Sequence, residues 1–217
     1  LRFNLQSHKP EIHNFLTNSK SYQNAIVSLK NSINLGFNTE IHIIPLKQNY
    51  KDLFESIKFF KTIGISKVKF LRFVPHGRGS INKLYLDLSQ NQYRDLIKKF
   101  ISLKNKFKDF IEIGSSFSNS LISNNSIYCR DCQIGKDKIA ITPEGKVFPC
   151  VSTKNLKLFD FQIKKQSLYK ILNSKEYLKK INYYLSIPDR NIKNKNKPNL
   201  YYDLCPTQRY LKIKYLN

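Results

Sequence analysis

No methionine and no tryptophan occur in this sequence, glycine is scarce at 7 residues, and cysteine is limited to 4. Without a methionine there is no initiator, so Leu1 is expected to be an internal start and the chain a fragment or processed piece. No stretch approaches the roughly 20 uninterrupted apolar residues of a spanning helix, which excludes such a transmembrane segment. Leu1 to Gln6 also lack the basic, long-apolar, small-residue order of a signal peptide. No phosphate-cradling glycine loop and no Ser–His–Asp set stands out. Four cysteines are too few to staple a chain of this length by disulfides. In the absence of a secretory segment a cytoplasmic, reducing location is expected, where grouped cysteines serve as metal ligands or in catalysis.

Acidic residues are also short, 15 against 38 Lys and Arg, giving a formal net charge of +23. Such an excess raises nucleic acid or an anionic substrate as partners. Lys, Asn, Ile and Tyr recur along the whole chain, as an AT-rich coding sequence would produce, and the lysines are not gathered on one face. Nucleic acid is therefore the lesser reading. What is present fits a globular protein: 41% hydrophobic residues and 13% aromatics argue against disorder.

The first half alternates strand and helix patterns. Arg2 to Gln6 is a short extended run. Ser21 to Leu35 sets Tyr22, Ala25, Ile26, Leu29 and Ile33 on one helical face, and Gly36 follows as a C-cap. Thr39 to Ile44 is a strand ended by Pro45. Tyr50 to Ile63 is an amphipathic helix through Leu53, Phe54, Ile57 and Phe60, with Gly64 at its end. Lys67 to Val74 is a further strand stopped by Pro75. Ser89 with Gln92 opens a helix reaching about Phe107 by a capping box, and Phe110 to Ile113 reads as another strand. The 28-residue distance from Gly36 to Gly64 suits a βα repeat with parallel strands, either a doubly wound sheet or part of a βα barrel. Ser115 to Asn125, rich in Ser and Asn, is the expected boundary, dividing the chain into domains 1–114 and 115–217. Beyond it, 138–142 and 146–149 flank Pro143-Glu144-Gly145 as a hairpin. Ser167 to Tyr183 reads as a helix and Asp189 to Asn199 as a basic loop.

The residues that carry chemistry are Cys129, Cys132, Cys150 and Cys205. Cys129 and Cys132 form a C-x2-C pair, which lets two thiolates from one turn bind one metal or one cluster. Seventeen residues separate Cys132 from Cys150, and the intervening hairpin folds that thiolate back toward the pair. Cys205 arrives from the last segment and can complete a four-thiolate set. Four thiolates suit tetrahedral zinc or a [4Fe–4S] cluster, and spacing alone does not separate them.

The text around these cysteines, from Cys132-Gln-Ile-Gly135 through Ile141-Thr-Pro-Glu-Gly145-Lys-Val-Phe-Pro-Cys150, resembles the signature of SPASM/twitch domains. Cys205-Pro-Thr-Gln-Arg209 is similar to an ending seen in some of them. The resemblance covers about the last 90 residues. It implies an auxiliary [4Fe–4S] cluster appended to a radical S-adenosylmethionine (radical SAM) enzyme. Pro10 to Phe15, Pro45 to Asn49, and Leu71-Arg72-Phe73-Val74-Pro75-His76-Gly77-Arg78-Gly79 resemble segments that leave the fourth, fifth and sixth strands of the radical SAM barrel. The implied fold class is α/β, the back half of a partial (β/α) barrel followed by a small α+β cluster-binding domain. Because a barrel's ligands lie at the C-terminal ends of its strands, the resemblance places Asn4, Gln6, Asn49, His76 and Arg78 near the working face. It implies contacts to S-adenosylmethionine from Asn4, Gln6, Asn49 and Arg78. His13 reads as a helix-entry or packing residue, and His42 as structural.

One departure matters. The family's cleavage chemistry rests on a C-x3-C-x2-C motif that this sequence lacks, since every cysteine is already assigned. The chain alone is expected not to cleave S-adenosylmethionine. An N-terminal portion is missing, a separate chain supplies it, or the gene is decayed, and the missing initiator favours the first. Joined to that portion, the expected activity is a radical SAM oxidoreductase or peptide maturase. It would act on a peptide or protein and draw electrons from a donor such as flavodoxin or ferredoxin. The alternatives are a zinc-stabilised basic module that binds nucleic acid through groups such as Tyr201-Tyr202, and a degenerate, non-catalytic family member.

Overall fold

In a computed structural model of the chain, the described residues are 1–74, 77–114, 117, 134–135, 138–154, 156 and 158–186. Two compact units are present, Leu1–Arg130 and Asp131–Asn217.

The first unit is built on four parallel strands, β1 (Arg2–Asn4), β2 (Glu40–Ile43), β3 (Lys67–Phe70) and β4 (Ile111–Ile113), in the order β1-β2-β3-β4. Between them run helices α1 (Pro10–Thr17), α2 (Tyr22–Asn34), α3 (Leu53–Thr62), the short α4 (Arg78–Ile81) and α5 (Lys83–Leu86), and α6 (Gln90–Phe107). Spatial order follows chain order with no reversal, as in a barrel segment. Period-2 alternation sends Ile41 and Ile43, Val68 and Phe70, and Ile111 and Ile113 to one buried face. Helical faces meet these strands through residues three or four apart: Ile26 and Leu29; Leu53, Ile57 and Phe60; Leu96, Phe100 and Leu103. Phe100 packs on Phe70 at 4.7 Å between ring centroids and edge-on against Phe117 at 5.1 Å. Each of these fully buried phenylalanines contributes on the order of 2 kcal/mol by leaving water.

The end signals behave as expected. Gly36 and Gly64 take φ of +76° and +87°, conformations a side chain would strain. Ser89 and Gln92 form the reciprocal capping box of α6. The sequence reading did not anticipate α1, α4 or α5, and it drew β1 and β3 longer than they are.

The second unit has an antiparallel sheet, β5 (Ala140–Ile141), β6 (Lys146–Phe148) and β7 (Phe161–Gln162), with β6 in the centre. The helix expected over 167–183 is two helices, α7 (Leu168–Leu172) and α8 (Lys175–Ser186). The break has a local cause. Ser174 Oγ accepts the Tyr177 N–H at 3.1 Å, and Asn173 Nδ2 donates to the Tyr169 carbonyl at 2.9 Å. These side-chain bonds compete with the helical ladder. Val147, Phe148, Phe159, Phe161, Ile171, Tyr177, Ile181 and Tyr184 form the core. Among the described residues, no helix is long and apolar enough to cross a membrane.

Candidate cluster site and strand-end rim

In the second unit the β5–β6 hairpin carries Cys150 at its far end. The turn closes through the Gly145 N–H donating to the Thr142 carbonyl at 2.8 Å, with Gly145 at φ +85°. The Thr142 hydroxyl, bonded to Glu144, holds that carboxyl below its ordinary range, with smaller help from a backbone hydrogen bond and from Lys146 and Lys164. Val147 and Phe148 bury against the core and draw β6 inward, and the chain leaves the strand at Cys150 in an extended conformation (φ −163°, ψ 149°). A tight turn over Val151–Thr153 follows. The Cys150 carbonyl accepts from the Thr153 N–H at 2.9 Å and from the Thr153 hydroxyl at 2.6 Å. The thiol is free and half-buried, so the backbone around one prospective ligand is fixed while its sulfur stays available. Thr153 escaped the sequence reading, although a Thr three residues after the cysteine is a local turn signal.

Gly135 lies three residues beyond Cys132 in the sequence and adopts φ +70°; a Cβ there would stand 2.8 Å from Ile181 of α8. The glycine lets the chain at 134–135 press directly onto the core helix. Cys129, Cys132 and Cys205 lie outside the described residues, as does His76. Among the described residues, the one prospective ligand is the free thiol of Cys150 at a braced strand end.

In the first unit the segments leaving successive strands are stitched into a rim. Gln6, just past β1, accepts the Ile44 N–H through Oε1 at 3.0 Å and bonds Asn4 Oδ1 through Nε2. Asn49 is fully buried. It donates from Nδ2 to the carbonyls of Gln6 and Ile44, both at 2.9 Å, and accepts the Leu46 N–H at 2.7 Å. The structure thus brings Asn4, Gln6 and Asn49 together, with the Gln6 and Asn49 amides occupied by the protein itself. Asn4 is exposed, in register with His42, Lys69 and Glu112 on the face opposite the helices. On that face Lys69 pairs with Glu112 at 2.5 Å, and Arg2 pairs with Glu40 at 3.3 Å.

Behind the rim, buried His13 accepts the Gln6 N–H at Nδ1 (3.2 Å), and its Nε2 lies 3.1 Å from Ser21 Oγ. An acceptor Nδ1 requires the neutral ring, and burial lowers the His13 pKa in agreement. Arg78 is exposed at the start of α4. In the same stretch it is Arg72 that is buried, its guanidinium 4.9 Å from the Tyr93 ring centroid. Tyr93, whose hydroxyl lies 3.4 Å from Asp87, has its pKa pushed up to about 12, chiefly by burial.

Residues 129–207, which include all four cysteines, match SPASM, an iron-sulfur cluster-binding domain. Streptococcus suis SuiB bound to its precursor peptide SuiA is similar in structure at 16% identity and a TM-score of 0.62, over 94% of this chain and 48% of that one. Native anSMEcpe with bound AdoMet is similar at 14% identity and a TM-score of 0.63, over 94% of this chain and 57% of that one. The same protein with bound AdoMet and Cp18Cys peptide gives 12% identity and a TM-score of 0.60, over 94% and 58%. The chain spans about half the length of these solved structures. No curated protein matches the sequence. The first unit thus shares a parallel βα fold with these solved structures, and residues 129–207 match an iron–sulfur cluster-binding SPASM domain. In particular, the fold is similar to that of SuiB and of anSMEcpe.

Proposed function

We propose that this chain is the back half of a radical SAM oxidoreductase or maturase acting on a peptide or protein. In this reading residues 115–217 hold an auxiliary [4Fe–4S] cluster on Cys129, Cys132, Cys150 and Cys205, and residues 1–114 form one wall of the substrate cavity. The observation that carries the proposal is that all four thiolates fall within the SPASM match, with Cys150 free at a braced strand end. Asn4 and Arg78, both exposed, are the groups that would meet S-adenosylmethionine; Gln6 and Asn49 would set the rim that positions them. Together with the N-terminal half, bound S-adenosylmethionine would supply a 5′-deoxyadenosyl radical. A donor such as flavodoxin or ferredoxin would supply the electrons, in the cytoplasm. The solved neighbours with bound peptides support a peptide substrate.

The test is anaerobic reconstitution of the chain with iron and sulfide, followed by counting of iron, sulfide and zinc. About four irons and four sulfides per chain are expected of a four-thiolate cluster. About one zinc without stable iron–sulfur absorption would replace the reading with a zinc-stabilised module.

A further inference from the structure

Ile81, Leu84 and Tyr85 project into solvent from a part of the backbone that is held still. They are 80%, 83% and 72% exposed, and the first two are the most exposed large apolar side chains among the described residues. Exposed apolar residues on a loose loop carry little information. Here the backbone that presents them is clamped from the segment leaving β2. Lys47 Nζ donates to the Leu84 carbonyl at 2.6 Å, and Gln48 Nε2 donates to the Tyr85 carbonyl at 2.9 Å. The Lys47 N–H donates to the Leu86 carbonyl at 3.1 Å. On its other side this segment is tied to the end of β1 through Asn49 and Gln6. The clamped turns therefore belong to the rim at the C-terminal ends of the strands, the side on which parallel βα folds place their ligands. At the base, Leu88 is buried and Tyr93 anchors the start of α6.

Holding three large apolar side chains in water costs free energy that any polar residue would avoid, and a rigid backbone removes the ordering penalty that a partner would otherwise meet. The charge around them points one way. Exposed Arg78 and half-buried Lys83 flank the three, and Lys47 lies beneath, against the single carboxylate of Asp87 in this stretch.

We propose that the α4–α5 strap, through Ile81, Leu84 and Tyr85 framed by Arg78 and Lys83, is a docking surface for a peptide segment whose apolar residues are flanked by carboxylates. This rests on the peptide-substrate reading above and names where and by what chemistry the peptide is held. The apolar side chains supply the anchors and the cations set register and encounter rate.

The test uses the purified chain and two fluorescein-labelled peptides of equal length. One alternates pairs of leucine with glutamate, and the other replaces each leucine by serine. Fluorescence anisotropy at 0.15 M salt is expected to show the leucine peptide binding at least ten-fold more tightly. A triple variant, Ile81→Ser with Leu84→Ser and Tyr85→Ser, is expected to lose that preference while keeping its far-ultraviolet dichroism and melting temperature. Since all three side chains are exposed, Leu84→Ser alone serves if the triple variant melts early, with a loss of three-fold or more expected. Equal binding of the two peptides, or an unchanged preference in the variant, would overturn the surface. So would a concentration-dependent dimer that the substitutions abolish, because a second copy would then be the occupant. Iron and sulfide content judges the cluster reading separately, so failure of one leaves the other standing.

Discussion

The two units fix their candidate sites by different means. In the first, neutral side-chain amides are bonded to the backbone of neighbouring strand ends, and Gln6 and Asn49 complete the rim without any added group. Its sheet rests on three long helices and a continuous apolar face. The second unit has strands of two or three residues and a smaller core. Its prospective ligand Cys150 is braced through its own carbonyl and Thr153 and packs at the edge of that core. The first unit carries its geometry in its own side chains, whereas in the proposed reading the cysteines of the second take their arrangement together with the group they bind. Precision at the rim should survive loss of the cluster, and precision around Cys150 should not.

The largest expected effect breaks the comparison from the first side. Phe100→Ala empties the centre of the helix–sheet core and should cost about 4 kcal/mol, read by denaturant unfolding of the first unit, with iron retention by the second unchanged. Asn49→Ala comes next. It strands the Leu46 N–H and two carbonyls in a buried place, at a cost of about 3 kcal/mol, and amide exchange should rise at Ile44 and Leu46. Gly135→Ala then tests the second side. A forced positive φ and an overlap with Ile181 should cost about 2 kcal/mol and loosen the cluster without touching the first unit's melting.

The smallest effect is one of pH. His13 is held neutral, its folded pKa below the ordinary 6.5. The unfolded chain therefore takes up a proton near pH 6.5 that the folded chain refuses. Stability of the first unit should fall as pH drops below about 6.5 and level off below the folded pKa. His13→Gln, compared with the parent across that window, should flatten the slope.

Much of the first unit was legible in the sequence because one-faced burial writes itself as periodicity. Ile41 and Ile43 alternate with Glu40 and His42, Leu53 to Phe60 recur at helical spacing, and Gly36 and Gly64 mark the ends. The hairpin around Gly145 was equally plain. Short elements were not, since α4, α5 and β7 span two to four residues and leave no period to read. The rim was legible as a set of residues but not as a mechanism. Its bonds join positions 37 and 38 apart in sequence, such as Lys47 to Leu84 and Gln6 to Ile44, and no local pattern reports such pairings. Arg72 shows the same limit: only the packing of Tyr93 against it distinguishes it from Arg78. Of the four cysteines, Cys150 alone falls among the described residues, and its neighbours explain its placement without specifying what it binds.

In the proposed reading the order of the second unit depends on its cluster, while the first unit stands by itself. Hydrogen exchange, measured on the reconstituted chain before and after anaerobic chelation of its iron, tests it most directly. Protection over 138–154 is expected to collapse on chelation while amides of β2, β3 and α6 exchange as before. Unchanged protection over 138–154, or equal loss in both units, would contradict it.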